Sequence, residues 1–282
     1  MFIQLRGKAQ SNMPKLVQGN KPWDGGGLIL SPDEREALIE KYPRTESFIK
    51  KYIGSHEFIN GKVRYCLWLK GVAPNEYRDI PEIAERLAVV VSVRQKTKTA
   101  AVREQASIPM LFSQIRQPES DYILIPETSS SSRRYIPMGF MDKDIIASNS
   151  TLVAAGATLY LFGLLTSNVH MAWMRTVCGR LKSDYRYSPS IYNNFPWPSP
   201  TEEQKAKIEK TAQGILDARA LYPDSSLADL YDPLTMPPEL QKAHSLNDAA
   251  VMQAYGMPVK TTTEADCVAW LMRIYQVLVE KG

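Results

Sequence analysis

Residues 109–140 read PMLFSQIRQPESDYILIPETSSSSRRYIPMGF. Two apolar, strand-like pieces stand in this stretch, Tyr122–Pro126 and Tyr135–Phe140, rich in the β-branched and aromatic residues that suit a pleated surface. Between them lies a small polar loop, Thr128–Ser132, that ends in Arg133 and Arg134. A strand pair with hydroxyls and two guanidiniums at one tip has the chemistry to hydrogen-bond base edges or phosphates. Arginine offers a bidentate fork to guanine, and serine pairs with several bases. The stretch predicts a β element carrying a recognition tip, with the rest of the chain holding that tip in place.

The charge distribution agrees. The 282 residues carry a formal net charge of +4. Residues 199–282 hold 8 basic and 12 acidic side chains, which leaves 26 basic and 18 acidic in residues 1–198. The basic part contains the tip, and a phosphate backbone attracts such a surface. A hydrophobic share of 44% and a charged share of 23% are ordinary for a globular chain with a full core. The three cysteines, Cys66, Cys178 and Cys267, are too few and too scattered for a disulfide framework, which points to a reducing cytoplasm. The opening MFIQLRGKAQ has no apolar leader core. The longest apolar run, Leu152–Leu165, is too short and too interrupted for a comfortable membrane span, so no membrane association is expected.

Working outward, residues 1–30 read as irregular around the Lys21–Gly27 turn cluster, with a short strand at Leu28–Leu30. Ser31-Pro32-Asp33-Glu34 is a helix start, with serine as cap and proline in the first turn. That helix is expected to stop before Pro43, and a second, Thr45–Ile53, to end at Gly54. Glu57–Leu69 reads as a hairpin around Asn60-Gly61. Pro81 to about Ala106 reads as one long helix, apolar at first (Ile83, Leu87, Val90, Val91), then polar and basic through Arg94, Lys96, Lys98 and Thr99. A helix that changes character in this way is expected to run from the core towards DNA. Leu152–Met174 reads as helical core.

In Arg175–Pro198, Arg175, Arg180, Lys182 and Arg186 alternate with Tyr185, Tyr187 and Tyr192, a mixture that suits a sugar–phosphate surface. Four prolines between 189 and 200 exclude a regular helix and mark a boundary at Phe195–Pro200. From Ser199 onward the pattern is helical: Thr201–Ala220, Asp224–Leu230, Pro237–Tyr255 and Thr263–Lys281. The expected class is α+β. A twisted, mostly antiparallel sheet with long helices occupies residues 1–198, and a small all-α subdomain occupies residues 199–282.

Catalytic parts are hard to find. There is no Walker loop, and no glycine-rich turn follows a strand. Met236-Pro237-Pro238-Glu239 lacks the polar and aromatic ends of an amino-methyltransferase motif. His56, His170 and His244 are far apart and form no HExxH, so no metal site is expected. His170 and Cys178 share one expected helix but lack a third orienting group.

Gly54–Leu69, residues 109–140, Arg175–Pro198 and the tail string Ile215–Pro238 together resemble the C-terminal half of the MmeI-like, type IIL, restriction–modification DNA methyltransferases. The likeness covers nearly the whole chain. It implies a DNA target recognition domain followed by a C-terminal helical segment, beginning about where the methyltransferase core of the same polypeptide would end. This part is then expected to hold no catalytic residues and no cofactor. The parent would be an adenine-specific, S-adenosylmethionine-dependent enzyme that flips its base out of the duplex and modifies the exocyclic amine. The partners implied are double-stranded DNA and the methyltransferase domain.

By position, the resemblance assigns base reading to Ser130, Ser131, Ser132, Arg133 and Arg134, and to Lys96, Lys98 and Thr99. Arg94, Arg180, Lys182, Tyr185 and Arg186 are assigned to phosphate. Relatives often carry a charged residue before the arginine pair where this chain has serine, so the bases read stay open. Two other readings stand beside this one: a scaffold whose acidic helices dock a methyltransferase or nuclease subunit, and a complete nuclease or hydrolase.

Overall fold

The computed structural model describes residues 13–280. The opening decapeptide, whose sequence lacks an apolar leader core, lies outside them.

The first strand, β1 (Leu16–Gln18), falls in the stretch expected to be irregular. Its partner comes from far along the chain, a pairing that no local pattern announces. After β2 (Ile29–Leu30), helix α1 (Pro32–Lys41) starts as expected. Ser31 Oγ accepts from the Glu34 amide at 3.2 Å, and Glu34 accepts from the Ser31 amide at 2.8 Å. The expected helix over 45–53 is instead a 3₁₀ turn, Pro43–Phe48, followed by β3 (Ile49–Ile53). Isoleucine and tyrosine in IKKYI favour a strand, and two neighbours are there to pair with it.

The expected Asn60-Gly61 hairpin is also replaced. A short helix, α2 (Ser55–Asn60), ends at Gly61 with φ +64°, and β4 (Arg64–Leu67) follows. A two-residue hairpin of this kind needs positive φ at both positions, and only the glycine has it. Glu57, which accepts from the Gly54 amide at 2.9 Å, anchors the helix start.

The long basic helix divides into α3 (Pro81–Lys96) and α4 (Ala100–Glu104), with a bend at Thr97–Thr99. Arg103 donates to the carbonyls of Thr97 and Lys98 and closes that bend. Next come β5 (Tyr122–Pro126), β6 (Thr128–Ser129), β7 (Gly139–Met141), β8 (Ile146–Ala147) and β9 (Thr151–Ala155). The last corrects the helical reading of residues 152–174. The run begins as a strand, stops at Gly156 with φ +61°, and becomes helix only at α5 (Leu159–Leu165) and α6 (Asn168–Val177). A continuous apolar run has no periodicity with which to tell the two apart.

Strands β10 (Gly179–Leu181) and β11 (Asp184–Arg186) and the short helix α7 (Pro189–Asn193) lead into the tail. The tail is α8 (Glu202–Ala220), α9 (Leu227–Leu230), α10 (Pro238–Ala254) and α11 (Glu264–Glu280). Among the described residues no helix is long and apolar enough to cross a membrane.

Among the described residues the strands form three sheets, ordered β1-β9-β5-β7, β10-β11-β6 and β2-β4-β3-β8, and every pairing between these strands is antiparallel except β3 with β8. Leu28, Phe48, Leu67, Ile83 and Val90 make one core around the third sheet. A larger core runs from Ile123 and Leu152 through Phe162 and Trp173 to Ile208, Val251 and Leu271. Apolar packing therefore continues across residue 198, and the tail helices form the far wall of a core shared with residues 1–198.

Gly163 marks that contact. A β-carbon there would lie 2.7 Å from Ile208 Cγ2 and 3.1 Å from Ala212 Cβ, and the Gly163 carbonyl accepts from Asn247 Nδ2 at 2.8 Å. Gly163→Val is expected to lower unfolding free energy by about 2–3 kcal/mol in a urea titration, because overpacking outweighs the smaller gain in helix propensity. An unchanged midpoint would mean that α5 and α8 part freely.

Candidate nucleic-acid interface

Strand β5 is fully buried and delivers the chain through Pro126 and Glu127 to β6. There the chain leaves the first sheet and joins the small three-stranded sheet, with Thr128 opposite Arg186 and Ser129 opposite Tyr185. The second apolar piece of the expected hairpin pairs only from Gly139 onward: Tyr122 lies opposite Met141 and Leu124 opposite Gly139. Residues 135–138 are buried but join no strand.

The tip folds on itself. Ser130 Oγ and Ser132 Oγ are 2.9 Å apart, and the Arg133 amide donates to the Ser130 carbonyl at 3.2 Å. Ser131, Ser132 and Arg134 are exposed, Ser130 is half-buried, and Ser129 is buried at the root. Arg133 is half-buried, and its Nε has no partner. The Arg134 side chain is 69% exposed; one edge of its guanidinium is 4.0 Å from Asp248 Oδ2, and its carbon lies 5.3 Å from the Tyr135 ring centre. The tip is neither packed inside nor folded away, although Arg134 leans towards the tail.

Beside the tip stands β10–β11, an exposed two-stranded ribbon whose turn is Lys182–Ser183. Lys182 adopts φ +57°, a left-handed conformation uncommon for a non-glycine residue. Arg180 lies 4.4 Å above the Tyr185 ring and donates to the Ser183 carbonyl at 2.9 Å, so its guanidinium is held in place. Tyr185 is itself only 7% exposed, and its hydroxyl accepts from Arg180. It supports that guanidinium rather than offering a free contact of its own.

Arg186 pairs with Glu127 at 3.0 Å, Glu127 accepts from Gln18 at 3.3 Å, and Gln18 accepts from Arg116 at 3.4 Å. This line of polar groups runs from the ribbon to an exposed arginine. Sequence reasoning missed Arg116 and Gln18, which sit in stretches with no local signal.

The remaining assignments fare differently. Arg94 is completely buried, and all its N–H groups are spent on backbone carbonyls, so it has no access to phosphate. Its i−4 neighbour Val90 is a core residue on the same helical face, which carries Arg94 inward. Lys96, Lys98 and Thr99 are exposed at the α3–α4 bend. No hydrogen bond or ion pair among the described residues joins them to the tip. Arg175 is taken by Glu264 at 2.7 Å and by the Arg134 carbonyl at 3.0 Å, and so braces the tip from behind.

The thiol reading also dissolves. His170 Nε2 meets the Tyr187 hydroxyl at 3.0 Å, and burial holds its pKa down to about 3. Cys178 donates to the Arg186 carbonyl, and burial pushes its thiol up to about 11. Among the described residues no cluster of His, Cys, Asp or Glu is placed to hold a metal ion.

An exposed β ribbon with fixed guanidiniums and a serine-bearing turn beside it has the width and donor set to enter a major groove. Comparison with known proteins points the same way. Residues 1–199 match the family described as MmeI, target recognition domain, and residues 200–281 match MmeI, C-terminal domain. DNA methyltransferase A of Bacillus subtilis (strain 168) is 39% identical over all 282 residues, which correspond to 32% of that protein. A solved structure of the type IIL restriction–modification enzyme MmeI in complex with DNA superposes with a TM-score of 0.96 at 43% identity, over 99% of this chain and 37% of that one. The chain thus spans about a third of the length of these relatives. Matched along its length by the two family profiles, it belongs to the MmeI family, as a target recognition domain with its C-terminal domain.

Proposed function

We propose that this chain is the part of a restriction–modification DNA methyltransferase that selects the target sequence in double-stranded DNA. Residues 1–198 recognise and residues 199–282 brace. Base reading falls to Ser130, Ser131, Ser132, Arg133 and Arg134. Arg180, Lys182 and Arg186 grip phosphate, and Lys96, Lys98 and Thr99 add a second contact from the α3–α4 bend. The methyltransferase domain of the same polypeptide, with S-adenosylmethionine, would transfer the methyl group to an adenine exocyclic amine. Its working compartment is then the bacterial cytoplasm, where the DNA is.

The observation that carries this reading is the pairing of the tip with the β10–β11 ribbon. That pairing gathers hydroxyls and guanidiniums from two distant stretches onto one exposed edge.

The test is selection from a pool of randomised duplexes. One sequence should emerge, with binding that weakens as salt rises. Arg133→Ala or Arg134→Ala is expected to lower affinity for that sequence by about 1–3 kcal/mol while sparing random duplex. Binding without sequence preference, or none at low salt, would refute the reading. Adenine modification by the intact polypeptide should map to the selected sequence in the source genome.

A further inference from the structure

The four residues after the tip, Tyr135–Met138, are buried yet belong to no strand, so side chains must hold them. Tyr135 stacks on His244 with ring centres 4.0 Å apart and planes 18° from parallel, and its hydroxyl donates to Asp248 Oδ2 at 2.7 Å. The Met138 carbonyl accepts from Arg219 at 2.6 Å, and the Tyr231 hydroxyl sits between Arg219 and His244 Nε2. His244 and Asp248 are four residues apart on α10 and therefore share one face. That face comes from the C-terminal domain.

Asp248 is the group on which these contacts converge. It is 5% exposed, its Oδ1 accepts from the Asn168 amide at 2.7 Å, and its Oδ2 serves Tyr135 and faces Arg134 at 4.0 Å. A buried carboxylate is costly unless its partners are well placed, and here burial pushes its pKa up to about 6. The side chain held at that expense connects the anchored ring to the last guanidinium of the tip.

We propose that Asp248 is a positioning residue for sequence selection: the C-terminal helix α10 clamps the Tyr135 leg and fixes one edge of Arg134, leaving the other edge of the fork aimed at a base. This rests on the recognition role of the tip. The clamp works by preorganisation, since a guanidinium already fixed loses less freedom on binding.

Wild type, Asp248→Asn, Tyr135→Phe, Arg134→Ala and the Asp248→Asn/Arg134→Ala double variant of the 282-residue chain would each select from the randomised duplex pool, with thermal melting as the check on folding. Asp248→Asn should flatten the same base positions as Arg134→Ala and lower the ratio of selected to random affinity by about tenfold. Affinity for random duplex should stay within about twofold, because that term belongs to phosphate contacts. Adding Arg134→Ala to Asp248→Asn should cost little more than either change alone.

An Asp248→Asn profile like wild type, a loss spread evenly over all positions, or full additivity with Arg134→Ala would overturn the clamp while leaving recognition intact. Absence of selection by wild type would overturn recognition, and the clamp with it. If Asp248→Asn does not fold, Tyr135→Phe carries the test with the same expected profile and the same refutations.

Discussion

Replacing Arg94 by methionine is expected to remove about 4 kcal/mol of stability or more, enough to unfold a domain of ordinary marginal stability. The side chain is 0% exposed and donates to five backbone carbonyls: Trp23 at 3.1 Å, Pro22 at 2.9 Å, Gln105 at 3.0 Å, Ile108 at 3.1 Å and Leu111 at 2.6 Å. A guanidinium has five N–H donors, and here each finds an acceptor. Methionine fills much of the volume but leaves those carbonyls without donors in a closed space, each at a cost of about 1–3 kcal/mol before relaxation.

The two segments so tied are also poor at holding themselves. One carries Trp23 at φ +50°, and the other is a 3₁₀ turn with its following loop. Arg94→Lys supplies at most three donors and should lose about half as much. Urea denaturation with a two-state fit measures both. A loss below about 1 kcal/mol would show that water replaces the guanidinium. Where the lysine variant stays folded, its salt dependence of DNA binding should match wild type, since no phosphate contact has been removed.

Arg94 also shows where local reading fails. In Arg-Gln-Lys-Thr-Lys it looks like an exposed basic helix end, and Lys96 and Lys98 are exposed. Its burial is decided by loops more than ten and about seventy residues away, which no window along the chain contains. The same holds for β1, defined by pairing with β9, and for Tyr135–Met138, which looks like a strand but is held by side chains from α6, α8 and α10.

Features set within a few residues were legible. The Ser31 cap of α1 was one, the four tail helices were others, and β5 kept its expected bounds. The Lys182–Ser183 turn gave no signal because it uses neither asparagine nor glycine, so the ribbon read only as a basic, aromatic stretch. The tip was singled out by its residue types, hydroxyls followed by two guanidiniums. Its attachment to the ribbon and its clamp from α10 came only with the fold.

Replacing Arg180, Lys182 and Arg186 together by alanine is expected to weaken duplex binding by on the order of 10²–10³-fold near 0.1 M salt and to reduce the slope of log affinity against log salt by nearly 3. All three are exposed on one ribbon. Each phosphate neutralised releases close to one counterion, so the slope counts contacts while the sequence profile counts base readers. On the phosphate assignment the slope falls and the selected sequence persists. A steady slope with an altered sequence would instead make these side chains base readers.

Arg186 needs a control, because its 3.0 Å pair with Glu127 means that Arg186→Ala also bares a carboxylate. Glu127→Gln in the wild-type background should strengthen binding several-fold by freeing that guanidinium for phosphate. In the triple variant it should recover part of the loss without restoring the slope to wild type. If Glu127→Gln weakened binding in the wild-type background and not in the triple variant, the carboxylate would be aligning Arg186 rather than competing for it. The line from Arg186 through Gln18 to Arg116 would then act as one contact surface, and Arg116→Ala should lower the slope by a further unit or so.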